Sequence, residues 1–89
     1  MSWSVDYSKD ADKFLSKNPN LKNSIKSEIK KFIRKISGET VSIGFKRLHG
    51  EWAGYCRIRK GKVRILLKIN DKEKNIIVFN IDFRGDVYK

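Results

Sequence analysis

The sequence predicts an α+β domain: an N-terminal strand, a helical hairpin, and then a twisted antiparallel sheet. Three observations carry this expectation. Residues 3 to 7 alternate apolar and polar with a period of two, residues 11 to 36 place apolar side chains at steps of three and four, and from Tyr55 onward the period returns to two. At 89 residues the chain has room for one domain, read as spanning residues 1–89. A core this small must be compact, and any site must lie on its outside.

Trp3, Val5 and Tyr7 alternate with Ser4 and Asp6, the pattern of a half-buried strand. Ser8 or Asp10 can cap a helix that carries Ala11, Phe14 and Leu15 on one face, and Asn18-Pro19 stops it. Asn18 can also cap the next helix, with Pro19 at its first position, where the missing N–H costs nothing. The apolar stripe of that second helix is Leu21, Ile25, Ile29, Phe32, Ile33 and Ile36, its opposite face holds Lys22, Lys26, Lys30 and Lys31, and Gly38 ends it. Residues 39 to 54 are the least readable, with a short strand expected near Phe45 to Leu48. Three strands follow: Tyr55 to Arg59, Lys62 to Ile69, and Asn75 to Arg84, joined by Lys60-Gly61 and by residues 70 to 74.

A two-residue loop at Lys60-Gly61 sets Arg59 opposite Lys62, Ile58 opposite Val63, Arg57 opposite Arg64 and Cys56 opposite Ile65. One face is then Cys56, Ile58, Val63, Ile65, Leu67 and Ile69, ready to receive the helices. The other is Tyr55, Arg57, Arg59, Lys62, Arg64, Leu66 and Lys68. On the last strand Ile77, Phe79, Ile81 and Phe83 form the expected apolar set, which leaves Asn80, Asp82 and Arg84 on the basic side. This register twice places like charges directly opposite each other, at a cost of about 0.2–1 kcal/mol per pair. A bound phosphate between the guanidinium forks would turn that repulsion into attraction. Trp52 and Tyr55 are expected as core or rim packing.

Charge points the same way. Twenty-one Lys and Arg against ten Asp and Glu give a net charge of +11 and a pI near 10.0, which suits a polyanionic partner, nucleic acid first. Residues 1–45 hold nine basic and five acidic side chains (+4), and residues 46–89 hold twelve and five (+7). The second half also contains Arg47, Arg57, Arg59, Arg64 and Arg84, whereas Arg34 is alone in the first. The other candidate backbone-binding residues there are Lys46, Lys60, Lys62 and Lys68.

The single cysteine, Cys56, makes no intrachain disulfide, and with the lone histidine, His49, it cannot build a structural zinc site. A cytoplasmic protein is expected, with no membrane span or signal peptide. No Ser-His-Asp or Cys-His arrangement stands out, no carboxylate cluster has metal-ligand spacing, and no cofactor is expected. RNA brings its own nucleophile in the 2′-hydroxyl, so cleavage needs an in-line geometry, cations for the phosphorane and modest proton transfer. Arginines and a tyrosine supply most of that.

The segment Arg57-Ile58-Arg59-Lys60-Gly61-Lys62-Val63-Arg64-Ile65-Leu66, followed by Phe83-Arg84-Gly85-Asp86-Val87-Tyr88, resembles the RelE family of toxins, within the RelE/ParE superfamily of toxin–antitoxin modules. Lys46-Arg47-Leu48-His49-Gly50 resembles the turn that precedes the sheet in that family. The resemblance implies a β-α-α-β-β-β fold and a ribosome-dependent mRNA endonuclease that cuts in the aminoacyl site through the 2′-hydroxyl without a metal. By the same resemblance, Arg57 and Arg59 hold and orient the message, and Arg64 stabilises the scissile phosphate. Arg84 serves the leaving group, and Tyr88 stacks on or orients the cleaved nucleotide. This chain has Arg59 where many relatives have a lysine, and Phe83 where many have a histidine. The implied partners are a cognate antitoxin and the message on the ribosome. Two other readings stand beside this one: a ParE-type inhibitor of DNA gyrase, and a non-catalytic basic module that binds RNA or ribosomes.

Overall fold

A computed structural model describes residues 3–83. In chain order they form β1 (Ser4–Tyr7), α1 (Lys9–Lys17), α2 (Pro19–Ile36), β2 (Phe45–Arg47), a 3-10 turn (Gly50–Trp52), β3 (Tyr55–Lys60), β4 (Val63–Asn70) and β5 (Asn75–Phe83). The expected order of strand, helical hairpin and antiparallel sheet is present.

Local chemistry sets the helix ends. The Ser8 hydroxyl accepts the Ala11 amide at 3.1 Å and donates to the Phe79 carbonyl at 2.6 Å, so one side chain caps α1 and ties it to β5. Asn18 closes α1 by donating its side-chain amide to the Phe14 carbonyl at 2.9 Å, and Pro19 opens α2. Past Ile36 the Glu39 amide reaches the Arg34 carbonyl and the Gly38 amide the Lys35 carbonyl, with Gly38 at φ +101°. That is a Schellman motif, which needs a residue tolerant of positive φ.

Both helices pack on one face of a five-stranded sheet ordered β1-β5-β4-β3-β2. Ala11, Leu15, Ile25, Ile29 and Phe32 meet Cys56, Ile58, Val63, Ile65, Leu67, Ile76, Val78 and Ile81, and the Phe32 ring stands edge-on to Phe45 at 5.2 Å. Phe32 is completely buried, so truncating it to alanine costs about 3–5 kcal/mol in lost transfer energy and cavity.

Three details depart from the sequence reading. First, β1 pairs with β5 in parallel, Val5 opposite Ile76, so the sheet is antiparallel only from β2 to β5. Second, the β3–β4 turn is Gly61-Lys62, not Lys60-Gly61. The pairs are Lys60 with Val63, Arg59 with Arg64, Ile58 with Ile65 and Arg57 with Leu66. Gly61 takes φ +58° at the first loop position, where a type II′ turn calls for glycine. The register differs from the expected pairing by two residues, an even number, so the faces keep their composition. Between β3 and β4 the two like-charge pairs become one, Arg59 opposite Arg64, while Lys46 opposite Arg57 forms another between β2 and β3.

Third, β5 does not keep one alternation. A bulge lies between the pairs Leu66–Asn80 and Leu67–Val78, with Phe79 as the extra residue. Ile76 and Val78 face the helices before it and Ile81 after it, while Ile77 and Phe79 stand exposed on the other side. The run Ile76-Ile77-Val78-Phe79 satisfies either parity, and the chain settles the ambiguity by shifting register in the middle.

Candidate nucleic-acid interface

The face of the sheet away from the helices is where the basic residues gather. Cross-strand neighbours share a face, so Arg57 carries Lys46 beside it on β2, Arg59 carries Arg64, and Arg64 carries Asp82 on β5. Tyr55 and Lys68 form the next row, with the Lys68 ammonium 5.5 Å from the centre of the Tyr55 ring. The expected surface of Tyr55, Arg57, Arg59, Arg64, Leu66 and Lys68 is thus one surface.

Arg64 is the best-held cation on it. Its Nε and Nη2 each donate to one carboxylate oxygen of Asp82 at 3.1 Å, and its side chain is only 14% exposed against 42% for Asp82. This side-on pair fixes the plane of the guanidinium. Arg57 is different. Its Nε is buried and has no hydrogen-bond partner among the described residues. An unsatisfied donor of this kind costs about 1–3 kcal/mol, more when charged. Arg57 stands between two clefts: one of about 300 Å³ lined by Gly44, Phe45, Lys46 and Arg59, and one of about 180 Å³ lined by Trp52, Arg64, Leu66, Asn80 and Asp82.

Other predicted residues lie elsewhere. Arg47 pairs with Cys56 and Lys60 with Val63, which puts both on the helix side of the sheet. Lys60 instead reaches Glu28 on α2, Nζ to Oε2 3.6 Å, and Lys31 meets the same oxygen at 3.3 Å. Lys62 sits in the turn. Arg84 and Tyr88 lie outside the described residues. Cys56 is buried among the core side chains; burial pushes its thiol pKa up, with the Arg47 charge pulling the other way.

The sequence reading missed two features. Glu28 occupies a position of the α2 stripe yet is a buried carboxylate. Its spacing from Lys31 was the available signal, whereas its contact with Lys60 depends on the tertiary fold. The second is an aromatic group: Trp52, Tyr55 and Phe79 meet edge-on, with ring centres 5.1, 5.7 and 6.2 Å apart. Trp52 packs at the rim, as expected, while 44% exposed, and Phe79 lies on the open face and not, as the alternation predicts, among the apolar set facing the helices. Among the described residues no three His, Cys, Asp or Glu side chains gather where a metal ion could sit, and no helix is long and apolar enough to cross a membrane.

The mixed sheet, with β1 added in parallel at its edge and two helices on one side, is a fold shared with solved toxin–antitoxin complexes. The chain superimposes on a chain of the RelB–RelE antitoxin–toxin complex of Methanococcus jannaschii with a TM-score of 0.69 and 26% identity, covering 94% of this chain and 95% of that one. The RelBE2 toxin–antitoxin complex of Mycobacterium tuberculosis gives 0.71 at 21% identity (94% and 100% covered), and the DinJ–YafQ complex of E. coli gives 0.72 at 15% (100% of both); these two likenesses concern the fold. The sequence matches no family model. A stretch of 54 residues is 33% identical to the toxin RelG of Mycobacterium tuberculosis, and the match spans 61% of this chain and 61% of that protein. In sequence the chain is thus similar, over those 54 residues, to a RelE-type toxin, and in fold it is similar to chains of RelE-type toxin–antitoxin complexes.

Proposed function

We propose that this chain is the toxin of a toxin–antitoxin pair and acts as a ribosome-dependent mRNA endonuclease in the aminoacyl site. The observation that carries the reading is the open sheet face, where Arg57, Arg59, Arg64 and Lys46 converge and the buried Nε of Arg57 awaits an acceptor. In the reaction the 2′-oxygen of the message attacks the adjacent phosphorus, its proton passing to a base, and the 5′-oxygen leaves with a proton supplied to it. The products are a 2′,3′-cyclic phosphate and a 5′-hydroxyl. Charge builds on the non-bridging oxygens in the transition state, and cations already held in place stabilise it without reorganising. Arg64, fixed by Asp82, suits that task. Arg57 and Arg59 suit gripping the flanking backbone, and Arg84 and Tyr88 complete the site in this reading. An acidic antitoxin segment that covers this +11 domain is the expected regulator.

Primer extension on a reporter message in a translating extract tests the reading. Cuts at codon positions that require ribosomes, and that disappear with Arg57→Ala or Arg64→Ala, are the expected result. An intact message with translation unimpaired refutes it and directs attention to a supercoiling assay with gyrase.

A further inference from the structure

We propose that Trp52 and Phe79, backed by Tyr55, form a stacking platform that holds one unpaired base of the message beside the phosphate gripped by Arg57 and Arg64. The inference rests on the endonuclease reading and adds a subsite to it.

The bulge in β5 is the first argument. Regular alternation would place one of two neighbours, Phe79 or Asn80, toward the helices, but the shift at Leu66/Leu67 turns both toward the open face. The result is a phenyl ring 43% exposed beside an indole 44% exposed, with Ile77 next to them at 39%. Large exposed rings grouped on one face of a small domain sacrifice burial that its core would use, and bulges recur where a side chain must be re-aimed at a site. The second argument is geometry. The three rings meet at interplanar angles of 82°, 68° and 79°; each edge-on contact covers one face of one ring, and the exposure of Trp52 and Phe79 leaves them surface for a flat partner. Lys68 sits over Tyr55, which leaves Trp52 and Phe79 as the available faces. The third argument is the charge beside the rings. Trp52 lines the same cleft as Arg57 and Arg64, so an apolar plate and a pair of cations are spaced within one nucleotide's reach. Stacking plus phosphate neutralisation is the chemistry by which proteins hold single-stranded RNA.

The experiment measures cleavage on ribosomes programmed with a message that carries a single abasic nucleotide at each position next to the cut. It uses wild-type protein, Trp52→Leu and Phe79→Ala, with Phe79→Tyr to restore a ring. At one position, removing the base should slow wild-type cleavage about tenfold, the platform variants should slow it similarly on the intact message, and the two losses should not multiply. Phe79→Tyr should recover most of the rate. Losses that multiply at every position, with cutting still ribosome-dependent, overturn the platform and leave the endonuclease standing; weakened neutralisation by an acidic peptide in Phe79→Ala would then assign the rings to a protein partner. No cutting by the wild type overturns the endonuclease reading and the platform with it.

Discussion

Asp82→Asn tests the electrostatics of the open face most directly. Arg64 is pressed between two neighbours of opposite sign: Asp82 on β5, which grips its fork at 3.1 Å twice, and Arg59 on β3, which stands directly opposite. A hydrogen bond to a charged group contributes about 1.5–3 kcal/mol when sheltered, but Asp82 is 42% exposed and water screens the pair. The variant keeps one acceptor oxygen, so the expected loss is about 1–2 kcal/mol. For a domain of this size that lowers the melting temperature by roughly 4–8 °C per kcal/mol. Arg59→Gln should do the reverse, adding about 0.2–1 kcal/mol by removing the like-charge pair. With the carboxylate gone, that repulsion is less well screened, so Arg59→Gln should recover more stability in Asp82→Asn than it adds to the wild type. Urea unfolding of the four proteins, with equal slopes to confirm a common two-state transition, reads the cycle. A loss below about 0.3 kcal/mol for Asp82→Asn, or strict additivity of the two changes, would refute the reasoning.

Further expectations concern the helix side and the turns. Glu28→Met should be neutral or stabilising by about 1–2 kcal/mol in urea, because Lys31 and Lys60 are half-exposed and can return to water, while the buried carboxylate no longer has to be desolvated. Gly38→Ala should cost about 1–2 kcal/mol from φ +101° alone, since open space surrounds the position. Burial holds the Cys56 thiol above its ordinary 9.0, and burial with the Asp12 charge holds the Tyr7 phenol above its ordinary 10.0. The unfolded chain therefore releases these protons first. The share of stability that these two groups contribute should be fully present below about pH 8.5 and be lost as pH rises through the folded values, and denaturant melts across that range measure it. Cys56 should resist aromatic disulfide reagents until the chain is unfolded.

Periodicity and punctuation make most of the fold legible in the sequence. Ser8, Pro19 and Gly38 mark helix ends because each satisfies a backbone requirement that is local. The face shared by Arg57, Arg59 and Arg64 is legible because a register shift of two residues changes partners but not sides. What escaped depends on contacts distant in the chain. Only packing decides which of Ile76, Ile77, Val78 and Phe79 turns inward. Nothing near Lys60 reveals that its ammonium belongs to Glu28, thirty-two positions earlier, and nothing near Arg47, exposed as it is, reveals that it lies on the helix side of the sheet until its register with Cys56 is known.

The parallel pairing of β1 with β5 has a consequence for how the molecule comes into being. Ser4 pairs with Asn75, and the Ser8 amide bonds the Val78 carbonyl, so the first strand has no partner until residues 75–78 have been synthesised. The same strand supplies Asp82 to Arg64 and Phe79 to the aromatic group. Such distant pairings close slowly. During synthesis the hairpin of helices and the β3–β4 ribbon can form early, but the basic face stays unfinished, with Arg64 lacking its carboxylate clamp, until β5 slides between β1 and β4. The domain is thus closed, and its basic face completed, in a single late step.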